Sequence, residues 1–118
     1  NIDSTSIVLE QPLAILFFIK GQQAISQKEK ETFAGVYQKA TAQNIPVHVV
    51  TNGLEEVTAA LTPVNYPLAS FFKIDYTTFK TAARTNPSIY LLRKGSIVNK
   101  WSGLQTDKAL KEIAIAKP

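Results

Sequence analysis

The residues of this 118-residue chain that could carry chemistry are few, and the most informative is absent, because the chain has no cysteine. Without a thiolate it can neither exchange disulfides nor reduce a peroxide through a peroxidatic cysteine, since both reactions begin with sulfur as the nucleophile. One histidine and no cysteine also argue against a zinc or transition-metal site. That histidine, His48, titrates near neutrality and has the chemistry of a general base. Set among valines in "PVHVV", it reads first as a packed, hydrogen-bonded core residue. Asp75 and Thr78 have the spacing of a helix cap rather than of an acid pair, and no second carboxylate stands where glycosidase or nuclease work would need it. The loop "KGQQAIS", starting at Lys20, precedes a helix whose N-terminus could hold an anion, but it lacks a glycine-rich phosphate motif. No cofactor is expected. What remains is "RTNPSIYLLRKGSIVNKWSG", residues 84–103, where Asn86-Pro87 introduces two apolar runs separated by Lys94-Gly95.

The elements that must position these residues follow from periodicity. "LAILFFI", residues 13–19, is continuously apolar, as a strand covered on both faces would be. "SQKE" from Ser26 to Glu29 is a capping box, and Phe33, Val36, Tyr37 and Ala40 then recur at helical spacing until Asn44 and Pro46. "PVHVV" is a second buried strand. Asn52 with Glu55 starts another helix, striped by Leu54, Val57 and Leu61 and stopped by Pro63. "SFFKID", residues 70–75, is a third strand, and Asp75 caps a helix carrying Phe79, Ala82 and Ala83. Strands alternating with helices predict a largely parallel sheet, because parallel neighbours need a crossover. "SIYLLR" and "SIVNKW" are joined only by Lys94-Gly95, which permits nothing but an antiparallel hairpin. Trp101 and Tyr90 offer a cross-strand aromatic contact or an exposed anchor, with core packing as the default. A final amphipathic helix is capped by Thr106 and turns Leu110, Ile113 and Ala114 inward. The expected product is one α/β domain over residues 1–118, with residues 1–11 as an N-terminal arm or extra strand.

Composition excludes several classes. With 45% apolar and 19% charged residues the chain is of ordinary globular make-up. Its net charge of +4 comes from eleven lysines and two arginines dispersed among acids, which is not a nucleic-acid stripe. The longest apolar run is far shorter than the roughly 20 residues of a membrane-spanning helix, so no direct membrane insertion by this segment is expected. No signal peptide is expected within these residues, and a start at Asn1 without any methionine reads as an excised or processed piece of a longer product, outside which a targeting segment could lie.

The order βαβαβα, then proline, hairpin and helix, resembles the thioredoxin fold. The extra αβ pair before the proline is most like the TlpA and peroxiredoxin branch. The likeness is carried by "FFI" at 17–19, "VHVVTN" at 47–52, "ID" at 74–75, Pro87, "YLLRKGSIVNKW" at 90–101 and Gly103. More closely, "KTAARTNPSIYLLRKGSIVNKWS" resembles the C-terminal domain of bacterial DoxX-like membrane proteins. The resemblance implies a three-layer α/β sandwich with a mixed sheet and helices on both faces. It also implies that Pro87 is the family's cis-proline, which leaves the backbone before it, at Asn86, open to an extended substrate. An X-Pro bond reaches cis for about 0.5–1 kcal/mol, against about 2.5–4 for other residues. The family's CxxC motif would fall within "IKGQQAISQKE", residues 19–29, where there is no sulfur and no catalytic residue can be carried over.

Asn86 and Pro87 are therefore the candidate partner-binding residues, presenting a backbone edge to a peptide by strand addition. The alternative reading makes the kink a relic that only sets the hairpin's entry. Arg84, Arg93, Lys94 and Lys100 would either gather near the proline or guard the hairpin edge against aggregation. The function expected is a redox-inactive accessory domain that binds a protein segment or partner domain, the membrane part of the same polypeptide included. It would be the soluble C-terminal part of a bacterial inner-membrane protein. Two other classes stay open: a substrate-positioning component of a redox enzyme whose reactive groups lie elsewhere, and a structural self-association module.

Overall fold

The computed structural model describes residues 12–21, 25–82 and 87–116. The first apolar run forms β1 (Leu13–Phe18), and Ser26 then caps α1 (Gln27–Ala42). The Ser26 hydroxyl accepts from the Glu29 N–H at 3.1 Å, and Glu29 Oε1 accepts from the Ser26 N–H at 2.9 Å. This reciprocal pair satisfies donors that a helix start otherwise leaves open. Asn44 turns left-handed at φ 59° to end the helix, and β2 (Val47–Thr51) follows. Then come α2 (Leu54–Leu61), a short 3-10 turn at Pro63–Asn65, β3 (Ala69–Lys73) and α3 (Tyr76–Ala82). The chain closes with β4 (Ser88–Arg93), β5 (Ser96–Ser102), a 3-10 turn at Gly103–Gln105 and α4 (Thr106–Ile115).

The five strands make one mixed sheet in the order β3-β2-β1-β4-β5. β1, β2 and β3 are parallel, whereas β4 runs antiparallel to both β1 and β5. Handedness then dictates the layers. The steps from β1 to β2 to β3 move the same way across the sheet, so right-handed crossovers put α1 and α2 on one face. The return from β3 to β4 passes on the other face and carries α3 there. Leu13, Ile15, Phe17, Val47, Val49, Ile89 and Leu91 accordingly pack with Phe33, Val36, Val57, Leu61, Ala109 and Ile113 of three helices. Phe18 and Val50 pack with Phe79 of α3 on the opposite side. Each buried Leu, Ile, Val or Phe side chain contributes about 1.5–3 kcal/mol, so the three-helix face holds most of the cohesion.

Several sequence expectations are corrected in detail. Asn52 does not cap α2: the cap is Gly53, with no side-chain hydrogen bond, and the Asn52 side chain is used elsewhere. Thr106 is the first residue of α4 rather than its cap; its hydroxyl donates back to the Gly103 carbonyl at 2.6 Å. Trp101 is core-packed, 5% exposed, and stands opposite Ile89, whereas Tyr90 stands opposite Lys100. Successive residues of a strand point to opposite faces, so Trp101 and Tyr90 lie on different sides of the sheet. Tyr90 meets Phe18 instead, with ring centroids 5.2 Å apart. The hairpin turn is as expected, with Lys94 at φ 48° and Gly95 at φ 83°, the two left-handed residues that a two-residue turn of this twist requires.

Candidate functional site

The carboxyl ends of the parallel strands gather the residues singled out for chemistry. Loops leaving this end of an open α/β sheet are where ligands are ordinarily met, because neighbouring connections part there. Two of them are locked together. A Cβ added at Gly21 would stand 2.3 Å from Gly53 Cα and 2.4 Å from Gly53 N, so only two glycines allow the β1–α1 and β2–α2 loops to touch. Asn52 Oδ1 accepts from the Gly21 N–H at 2.8 Å, and Thr51 Oγ1 accepts from the Gly53 N–H at 3.1 Å. Thr51 and Asn52 are both buried, so their polar atoms are committed to holding these loops.

The third loop at this end begins with Asp75. Its carboxylate accepts from the Thr78 N–H at 3.0 Å and from the Thr78 hydroxyl at 2.6 Å, as a cap does. Those Thr78 bonds hold the Asp75 carboxyl below its ordinary value. Tyr76 beside it is half exposed, and the Lys20 ammonium lies 5.9 Å from its ring centroid. Lys20 thus leans on an aromatic face at the same end of the sheet.

Pro87 enters from the opposite direction, ahead of β4. Its carbonyl accepts from the Gly103 N–H at 3.0 Å. A Cβ at Gly103 would come 2.7 Å from Pro87 Cδ and 3.2 Å from Pro87 Cγ, so the turn after β5 is pressed against the proline ring. Gly103, named in the sequence only among the residues that carry the fold resemblance, is explained by the ring it abuts. Asn86 and Arg84, together with Gln22, Gln23 and residues 1–11, lie outside the described residues. Arg93 and Lys94 do not gather at the proline. They sit at the far end of β4, about 20 Å along the strand, which leaves edge protection of the hairpin as their reading. His48 is 4% exposed in β2, its ring 5.7 Å from that of Phe72, and burial lowers its pKa from 6.5.

Beside Gly103 opens a cleft of about 310 Å³ between the first turns of α1 and α4. It is lined by Lys28, Glu31, Thr32, Gly103, Thr106 and Asp107. Among the described residues, no helix is long and apolar enough to cross a membrane.

No family model matches the chain, and no curated protein matches it in sequence. Solved structures match its fold. A thio-disulfide isomerase from Thermus thermophilus superposes with a TM-score of 0.64 at 18% identity, covering 92% of this chain and 82% of that one. BsSco, of the Sco family of cytochrome c oxidase assembly proteins, gives 0.59 at 15% identity over 89% and 80% of the two chains. A protein assigned as the thiol:disulfide interchange protein DsbE of Chlorobium tepidum gives 0.57 at 13% identity over 90% and 82%. The chain has the thioredoxin-like fold, with its mixed five-stranded sheet and helices on both faces, and contains none of the cysteine that disulfide chemistry on that fold requires.

Proposed function

We propose that the chain is a redox-inactive accessory domain that receives a protein segment or partner domain at the Pro87 end of its sheet. It serves as the soluble part of a larger bacterial membrane protein. The observation that carries this reading is a contrast at one place. The backbone packing of the mouth is tight, with Gly21 on Gly53 and Gly103 on Pro87, while no sulfur exists anywhere in the chain to react there. An extended segment laid against Pro87 would gain main-chain hydrogen bonds without any catalytic group. The likeness of residues 80–102 to the C-terminal domain of DoxX-like membrane proteins supports the membrane context.

The test uses the complete gene product with a photoreactive phenylalanine analogue in place of Tyr76, which is half exposed at the mouth. Cross-links into another segment of the same polypeptide, or into a copurifying partner, are expected. A mouth that cross-links to nothing overturns the binding role, and disulfide reduction by the chain alone overturns the non-catalytic one.

A further inference from the structure

The face of the sheet turned away from the three-helix core carries an apolar row at its amino end. Register places Ala14 opposite Leu92 and Leu92 opposite Ile97, so the row crosses β1, β4 and β5 two residues into β1. Alternation along the strands puts it on the α3 side. Yet α3 brings Phe79 to Phe18 and Val50, and Phe18 lies four residues, about 13 Å, further along β1. Ala14 and Leu92 cluster with Leu16 and with no residue of a described helix. They are nonetheless 0% and 5% exposed, while Ile97 at the sheet edge is 57% exposed. Apolar side chains in the middle of a sheet face stay in contact with water unless a further layer lies on them.

We infer that the N-terminal arm of this same chain lies on the row through Ile7, Val8 and Leu9, and closes the second face of the sheet at its amino end. Ala14 and Leu92 are buried within the single chain, so what covers them belongs to it rather than to a partner. Of the segments outside the described residues, 22–24 and 83–86 adjoin Gly21 and Pro87 at the carboxyl ends of the parallel strands. Residues 117–118 follow α4, whose Ala109 and Ile113 pack on the other face. Residues 1–11 join the sheet at the row itself. The Pro12 carbonyl accepts from the Lys94 N–H at 3.2 Å, which fixes the root of the arm between β1 and the hairpin turn. Ile7, Val8 and Leu9 are the longest apolar run of the arm and stand three to five residues before Pro12. Extended chain of that length reaches about 10–17 Å, and the row spans two strand spacings, about 10 Å. The inference does not depend on the proposed function, because the row and the Pro87 mouth lie at opposite ends of the sheet.

The experiment measures nuclear Overhauser contacts between methyl groups in the isotope-labelled 118-residue chain. Cross-peaks are expected from the Ala14 and Leu92 methyls to those of Ile7, Val8 or Leu9. Their absence overturns the inference. A sample mixing two differently labelled populations separates one copy from two: cross-peaks between the populations mean that a second copy's arm covers the row, which also overturns it. A second measurement replaces the run, with Ile7→Ser, Val8→Ser and Leu9→Ser together, and adds a soluble gadolinium chelate. Attenuation of the Ala14 and Leu92 methyl signals is expected to rise severalfold over the unsubstituted chain, with Val57 on the three-helix face unchanged. Equal attenuation in the two chains overturns the inference. If the triple variant does not fold, the cross-peaks in the unsubstituted chain decide.

Discussion

On the three-helix face Phe33, Tyr37, Tyr66 and Phe71 interlock: Phe33 meets Tyr66 at 4.7 Å and Tyr37 meets Tyr66 at 4.9 Å, both edge to face. Tyr37 also reaches out of this cluster, its hydroxyl accepting from the Leu68 N–H at 3.1 Å. The loops at the carboxyl ends of the strands are joined differently, although Phe18 meets Tyr90 at 5.2 Å and Phe79 at 6.1 Å on the opposite face of the sheet. Glycines approach backbone and proline, and buried Asn52 and Thr51 tie the loops together. The ring cluster is held by apolar area, which tolerates change in proportion to the area lost. The loops are held by close approach, which tolerates almost no added atom. The two regions therefore answer differently to substitution.

The comparison can be broken in either region. Phe33→Ala removes a fully buried ring that touches Phe17, Tyr37, Tyr66 and Phe71, and is expected to cost about 4 kcal/mol in urea unfolding. Gly21→Ala forces a methyl group into the Gly53 backbone, which cannot yield as a flexible side chain would; about 3 kcal/mol is expected. If Gly21→Ala proves neutral, the two loops are not locked. Asn52→Ala strands the buried Gly21 N–H and should cost about 2 kcal/mol, which an Asn52→Asp variant would partly restore by keeping an acceptor in place. Gly103→Ala pushes on the Pro87 ring, and about 1 kcal/mol of stability is expected to go.

His48 gives the smallest effect and the one that depends on pH. The fold lowers its pKa through burial, so below its ordinary value of 6.5 the unfolded chain takes up a proton that the folded chain resists. Its contribution is therefore complete above that value and is lost progressively as pH falls beneath it. Urea midpoints measured from neutral pH downward should decline in the wild type, and less steeply in His48→Leu. Asp75 shifts the same way but in a separate, more acidic window below its ordinary 3.8, so Asp75→Asn leaves the histidine slope unchanged.

The fold was legible wherever one residue's local preference and the tertiary solution agreed. "LAILFFI", the Ser26 to Glu29 capping box and the Lys94-Gly95 turn each state their element without help from the rest of the chain. Asn52 shows the limit: asparagine before a helix reads as a cap, yet the same side chain bridges to Gly21 once two loops meet. Tyr90 and Trp101 look adjacent in a hairpin, but register decides their faces, and β5 carries an irregularity where Leu91 opposes Asn99 and Leu92 opposes Ile97. Arg93 and Lys94 were separable from Pro87 only through the length of β4. The cleft beside Gly103 was illegible, because Thr32 and its neighbours Gly103 and Asp107 come from opposite ends of the sequence.

The most direct measurement is the amide map of the chain titrated with a neutral extended peptide. Saturable shifts confined to Ser88, Ile89 and Gly103, and abolished by Gly103→Ala while the fold is kept, are predicted. Shifts along the outer edges of β3 or β5 with the Pro87 end silent would contradict the account.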